Sequence, residues 1–259
     1  MAILYIAAEA SELHSFSNRL TGLRPLKWPL KYAQEGILDD RRILLAAHGA
    51  GPKLAAQCLE IAIRAIAAAD LQSSRLEAVV SVGLCGALQL DLTENQIIVA
   101  TEVRSPGSDD NFSALPIETE LPFVSAPILS QDRVAVTAAE KSQLREKFSA
   151  AAVEMEAFGV AARAKRAGLP FCCIKAVSDR ADETFGMDFN EVRSPDGRIS
   201  RGKIVVKVLA RPGVIPELFR LKRRAEMAAS ALGEFLVSCR FNLQSAGIVV
   251  PADQSVDGQ

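Results

Sequence analysis

Short apolar runs alternate along the chain with stretches whose apolar residues recur every three or four positions. Residues 3–8 are apolar and stop at Glu9, which predicts a buried strand, and residues 9–20 follow as a helix. Residues 33–38 and 42–48 predict a hairpin with Asp39 and Asp40 at its turn. After Gly49-Ala50-Gly51, Pro52 suits the first position of a helix. That helix would bury a stripe of Leu54, Cys58, Ile61 and Ala65. Further strands are predicted over 78–82, 96–103 and 171–177, and further helices over 138–147, 155–167 and 216–240. The last helix carries Leu218, Leu221, Ala225, Ala228, Leu232, Phe235 and Cys239 on one stripe. Residues 104–127, rich in Pro, Ser and Asp, and the polar residues 187–201 predict loops. Residues 244–259 predict a flexible C-terminal tail beyond a domain spanning 1–243.

Strands that read as continuous apolar runs, alternating with helices, predict an α/β protein with a mostly parallel sheet covered on both faces. A chain of 259 residues suits one large domain of this kind. Ligands in such folds sit beyond the carboxyl ends of strands. The segments to search are therefore 9–12, 48–51, 83–86 and 178–182.

Composition narrows the chemistry. Thirty basic against 31 acidic residues leave no basic excess for a nucleic-acid partner. Five cysteines without a C-x-x-C spacing point to reduced thiols rather than disulfides or zinc, and two histidines argue against a metal site. No segment approaches the about 20 apolar residues of a membrane span, and the N-terminus lacks a basic leader. These features predict a cytoplasmic protein with no cofactor.

Four carboxylates stand out as candidates. Glu12 follows the first strand, Glu154 and Glu156 flank Met155 ahead of a helix, and Asp179 closes the strand that begins at Phe171. Each has an ordinary alternative, since acids favour helix starts and aspartate caps turns. Gly49-x-Gly51 and Gly83-x-x-Gly86 read as strand-to-helix turns that would let a ligand approach the backbone. Their spacing matches neither a P-loop nor a full G-x-G-x-x-G. His48 could touch a substrate or serve structure. Cys85 and the Cys172-Cys173 pair fit small-residue packing better than nucleophilic catalysis.

These pieces, in this order, resemble the nucleoside phosphorylase and nucleosidase family. The resemblance rests on Ala152-Val153-Glu154-Met155-Glu156-Ala157, on Ala176-Val177-Ser178-Asp179-Arg180-Ala181-Asp182, on Ala8-Glu9-Ala10-Ser11-Glu12, and on the turns at Gly49 and Gly83. It covers roughly residues 1–240. It is closest to the methylthioadenosine/S-adenosylhomocysteine nucleosidases and to a hopanoid-associated branch. The pointers to that branch are Ser130-Gln131-Asp132-Arg133-Val134 with Ala139-Glu140-Lys141, then Asp188-Phe189-Asn190 and Ala210-Arg211-Pro212-Gly213.

The resemblance implies a three-layer α/β/α sandwich with a central mixed sheet, a homodimer, and cleavage of the N-glycosidic bond of a purine nucleoside. It also implies roles. Asp179 would protonate or hydrogen-bond the leaving purine, Glu12 would activate water, and Glu156 would accept both ribose hydroxyls. Met155 would pack on the sugar, with Glu154, Ser178 and Gly83 beside the substrate and His48, Gly49 and Phe171 as further candidates. Phosphorylases of this family carry an Arg and a Ser where this chain has Ser81 and Leu84, so a phosphate would lose a cation and a hydroxyl. Water is therefore expected as nucleophile, which predicts a purine nucleosidase acting on a 5′-modified adenosine. Phosphorolysis, with phosphate as co-substrate, needs a replacement from Arg19, Arg104 or Arg180. A nucleoside-binding protein without turnover is the reading from another class.

Overall fold

The computed structural model describes residues 2–68, 76–192, 213 and 215–241. The chain opens with β1 (Ala2–Ala7), α1 (Ala10–Ser17), β2 (Thr21–Pro25), β3 (Tyr32–Leu38), β4 (Arg41–Ala47) and α2 (Pro52–Ala68). The long β5 (Leu76–Ala87) follows, then β6 (Ile97–Ser105), β7 (Ser108–Ser113), β8 (Ile117–Glu118) and β9 (Val124–Ser130). Next come α3 (Ala138–Phe148), β10 (Ala152–Glu154), α4 (Ala157–Ala167) and β11 (Phe171–Asp179). A 3₁₀ turn (Phe189–Val192), α5 (Ile215–Ser238) and β12 (Arg240–Phe241) complete it.

Ten strands form one sheet in the order β10-β9-β6-β11-β5-β1-β4-β3-β2, with β7 on β6. The centre, β11-β5-β1-β4, is parallel, while β6 runs antiparallel to β11 and β3 to β4. The sheet is thus mixed. Alternation along β1 divides its side chains between two cores. Leu4 and Ile6 join Leu44 and Val79 against Cys58 and Leu59 of α2 and Val160 and Ala164 of α4. Ile3 and Tyr5 join Ile43, Leu45 and Val80 against Leu13 and Phe16 of α1 and Leu232 and Phe235 of α5. The result is a three-layer α/β/α sandwich.

The hairpin turn falls where its sequence predicts it. Asp39 and Asp40 both take positive φ, 47° and 61°, as a two-residue turn matched to strand twist requires. Other expectations are corrected. Residues 104–127 hold β7, β8 and the start of β9 rather than a loop, although polar residues fill β7 and Pro127 lies within β9. A further strand, β2, lies exposed at the sheet edge, so no apolar alternation marks it. Gly83-Leu84-Cys85-Gly86 belongs to β5 and makes no strand-to-helix turn. The buried stripe of α2 is Leu54, Ala55, Cys58, Leu59 and Ala62, with Ile61 and Ala65 only half-buried. The stripe of α5 is buried only from Ala228 onward, and Phe219 is 69% exposed. Residues 193–212 and the predicted tail, 244–259, lie outside the described residues.

Helices α2 and α4 approach closely because α4 has a glycine at the contact. A Cβ added to Gly159 would lie 1.9 Å from the Pro52 carbonyl oxygen. Gly159→Ala is expected to destabilise the chain by about 2 kcal/mol, the helix-propensity gain notwithstanding. Urea unfolding checks this, and an unchanged midpoint would mean that the two helices separate at no cost.

Candidate active site

The first carboxylate is set by a helix start. Glu12 lies in the first turn of α1 and reaches back to accept the Glu9 backbone N–H at 2.9 Å, as in a capping box. Its other oxygen accepts the Leu84 N–H of β5 at 3.2 Å. Burial raises the Glu12 carboxyl above its ordinary value, against the opposing pull of these backbone bonds and of Lys175.

The second pair stands at the entry to α4. Glu154 is fully buried and accepts the N–H groups of Glu156 and Ala157, each at 3.0 Å. It therefore satisfies orphan donors of the α4 N-terminus. Lys175, equally buried in the middle of β11, bonds Glu154 at 2.7 Å and donates to the Val82 carbonyl oxygen at 3.2 Å. Glu156 accepts the Gly51 N–H at 3.0 Å, and the Lys175 ammonium is 3.8 Å away. One cation thus faces more than one acid. Burial, with Glu154 and Glu12 as like charges and only partial relief from Lys175, pushes Glu156 up to about 8. Burial works against the Lys175 ammonium, but Glu154 and Glu156 outweigh it and raise its pKa.

Asp179 is the last residue of β11. The ladder shifts register after Val177 and sets Asp179 opposite Gly86 of β5. Its Oδ1 accepts the Ser178 hydroxyl at 2.7 Å, and its Oδ2 accepts the ammonium of Lys141 at 2.6 Å.

The tail of β5 joins these groups. Gly83 takes φ +133°, and a Cβ there would lie 2.9 Å from Oε1 of Glu12. A Cβ on Gly86 would lie 2.8 Å from Oδ2 of Asp179. The two glycines leave room for carboxylates to close on one stretch of strand from either side. Gly49, at φ +126°, donates to the Ala8 carbonyl oxygen at 2.9 Å and so ties the exit of β4 to that of β1. Half-buried His48 precedes it, and half-buried Met155 lies between the two glutamates.

Glu12, Met155, Glu156, Ser178, Asp179 and Gly83 therefore gather at the carboxyl end of the central strands. Glu154 is near them but is engaged with backbone and Lys175. Phe171 is not among them. It starts β11, eight residues and about 26 Å from Asp179 at about 3.3 Å per residue. There it lines a separate groove of about 460 Å³ with Phe112, Ala114 and Leu169. Lys175 and Lys141 are site residues that the sequence reading did not single out. Lys175 had a signal, a lone cation inside an apolar strand. Lys141 entered only through the Ala139-Glu140-Lys141 stretch of the resemblance, as one charge in a polar helix with nothing to mark it as a site residue.

The Cys85 thiol is buried beside Asp179, and burial, then that charge, raise it well above its ordinary value, so it offers no thiolate. Ser81 is fully buried, its hydroxyl without a hydrogen-bond partner among the described residues. Arg104 is engaged with Glu102 and the Phe148 carbonyl, Arg180 bonds Asp182 at 3.0 Å, and Arg19 is exposed.

Residues 110–210 match the family described as Phosphorylase superfamily. A 5′-methylthioadenosine/S-adenosylhomocysteine nucleosidase from Neisseria meningitidis superposes with a TM-score of 0.67 over 92% of this chain and 97% of that one, at 19% identity. The chain has a nucleoside phosphorylase-like fold. A futalosine hydrolase mutant of Helicobacter pylori strain 26695 superposes with a TM-score of 0.64 at 18% identity, over 92% of this chain and 97% of that one. In sequence, the chain is 31% identical over 134 residues to an aminodeoxyfutalosine nucleosidase of Helicobacter pylori, covering 42% of this chain. That match spans 58% of the relative's length. It is 22% identical over 210 residues to a 5′-methylthioadenosine/S-adenosylhomocysteine nucleosidase of Staphylococcus aureus, covering 71% of this chain and 89% of the relative. Among the described residues no helix is long and apolar enough to cross a membrane.

The raised pKa of Glu156 carries a stability consequence. An acid raised to about 8 in the folded chain favours folding most below the ordinary carboxylate range, and that contribution is lost as pH rises through about 8. Glu156→Gln removes the contribution. Melting temperatures of wild type and variant should move in the variant's favour between about pH 5 and about pH 9. A difference that stays constant across this window would show that Glu156 is not held protonated.

Proposed function

We propose that this chain is a purine nucleosidase that hydrolyses the N-glycosidic bond of an adenosine modified at its 5′ carbon and releases adenine. The observation that carries the reading is the convergence of Glu12 and Asp179 on the Gly83–Gly86 stretch of β5, with Glu156 3.8 Å from Lys175, the residue paired with Gly83. Three acids from distant parts of the chain, one of them held up near neutrality, suit a reaction with an oxocarbenium-like transition state.

The roles follow from chemistry. Glu156 offers an oxygen to each ribose hydroxyl. Its raised proton affinity suits a group that exchanges hydrogen bonds with neutral hydroxyls. Glu12, raised by burial and anchored by two backbone bonds, accepts a proton from the attacking water. Asp179 serves the leaving purine, and Met155 covers the sugar. The aminodeoxyfutalosine, methylthioadenosine and S-adenosylhomocysteine nucleosidases similar to this chain support the 5′-modified adenosine as substrate class.

Hydrolysis is favoured over phosphorolysis by the β5 segment. Ser81 is sealed in the core, the Leu84 N–H is committed to Glu12, and Arg104 and Arg180 are engaged with acids or carbonyls. A phosphate dianion would meet carboxylates there, with the nearby cations Lys175 and Lys141 already paired to Glu154 and Asp179.

Purified chain should release adenine from methylthioadenosine, S-adenosylhomocysteine or 5′-deoxyadenosine in phosphate-free buffer, with free sugar as co-product. Asp179→Asn should lower turnover by about 10²-fold or more in a chain that still folds, with a melting temperature lowered by the loss of the carboxylate facing Lys141. Release that requires phosphate and yields a sugar 1-phosphate would instead establish phosphorolysis. An Asp179→Asn variant with wild-type turnover would remove Asp179 from the mechanism.

A further inference from the structure

Helix α3 is polar and solvent-facing, and Lys141 is the one residue it buries fully among those described. An ammonium without solvent contact is costly unless its partners replace water. Lys141 has such partners. Its Nζ donates to Oδ2 of Asp179 and to the Arg180 carbonyl oxygen, both at 2.6 Å, and sits 5.2 Å from the centre of the Phe185 ring. The start of the helix is clamped to the segment after β11 as well. Ala138 N–H donates to the Thr184 hydroxyl at 3.0 Å, and Phe185 N–H to the Val136 carbonyl at 2.9 Å.

This arrangement raises a problem for the nucleosidase reading, on which the present inference rests. A leaving purine needs a proton, yet Asp179 has an ammonium on one oxygen and a hydroxyl on the other. Buried ion pairs are weak contributors to stability, so stability alone gives little reason to retain this one.

We propose that Lys141 is the positioning residue that supplies the proton delivered through Asp179 to the leaving base. An ammonium bonded to a carboxylate is one proton transfer from an amine bonded to a carboxylic acid. As the glycosidic C–N bond breaks, its electron pair passes to the purine. The Lys141 proton crosses the 2.6 Å bond to Asp179, and the Asp179 carboxyl protonates the purine nitrogen. Water adds its oxygen to the sugar carbon and gives one proton to Glu12. Glu12 releases that proton to solvent, and solvent reprotonates Lys141 once the products leave, so the cycle closes without a co-reactant. The charged and titratable neighbours are Cys85 on β5, Arg180 and Asp182 after β11, and Glu140 beside Lys141 on α3. The Cys85 thiol stays protonated, Asp182 is paired with Arg180, and Glu140 with Arg133, which leaves Lys141 as the proton source in contact with Asp179.

The test separates proton supply from structure. Wild type, Lys141→Met and Lys141→Arg are assayed on methylthioadenosine and on 4-nitrophenyl riboside, whose leaving group departs without a proton. Arginine keeps the positive charge but does not release its proton in proteins. Both variants should lose roughly 100-fold in kcat on the nucleoside, with KM within about threefold, and retain turnover of the riboside. The residual nucleoside activity of Lys141→Met should rise toward acid pH, where solvent can protonate Asp179 directly. Full rescue by arginine, equal losses on both substrates, or a variant profile parallel to wild type would each overturn the proposal. If Lys141→Met does not fold, Lys141→Gln is read by the same ratio and pH profile. If the riboside is not turned over by wild type, the arginine rescue and the pH profile decide between proton supply and structure. A wild-type chain that releases no base from any nucleoside tested would sink the nucleosidase reading itself.

Discussion

The site depends on one buried ammonium. Lys175 sits in the centre of β11, without solvent, and bonds Glu154 while leaving Glu156 at 3.8 Å. Glu154 in turn satisfies the first backbone donors of α4, so the helix start, the central strand and the acid pair are held by one charge. A low-dielectric setting makes such an arrangement unforgiving. Removal of Lys175 would leave two buried carboxylates without their cation, one of them the cap of α4. Burial raises Glu156, and Lys175, already engaged with Glu154, relieves it only in part.

Around this anchor the fold brings acids together by two devices. Parallel strands deliver Glu12 and Asp179 to the same edge, one after β1 and the other at the end of β11, with β5 between them. Glycines at 83 and 86 then remove the side chains that would keep both carboxylates off the strand. Each acid is held by hydrogen bonds before any ligand arrives. Such preorganisation suits a site whose task is to meet charge that develops only in the transition state.

Much of the frame was legible from local pattern. Short apolar runs marked β1, β4, β5 and β11, because buried parallel strands need apolar residues on both faces. The Asp39-Asp40 turn and the Gly168 end of α4 follow from backbone preferences that act within a few residues. What local pattern missed was structure that draws on distant partners. β2 and β7 are exposed and carry polar residues, and the first half of α5 continues a helical stripe past the part that is buried.

The sequence by itself determined the fold class, the positions of Glu12 after a strand, Glu156 before a helix and Asp179 at a strand end, and a β5 segment without the arginine of the phosphorylases. Those features are written in residue type and short-range order. Tertiary structure alone decided which acids meet, which are neutralised and which are only structural. It made Glu154 a helix cap, removed Phe171 to the far end of its strand, and set Lys141 on Asp179 from 38 residues away. The physical reason is that proton affinity and hydrogen-bond partnership depend on distance in space and on exclusion of water. Neither quantity exists along the chain until the sheet has closed.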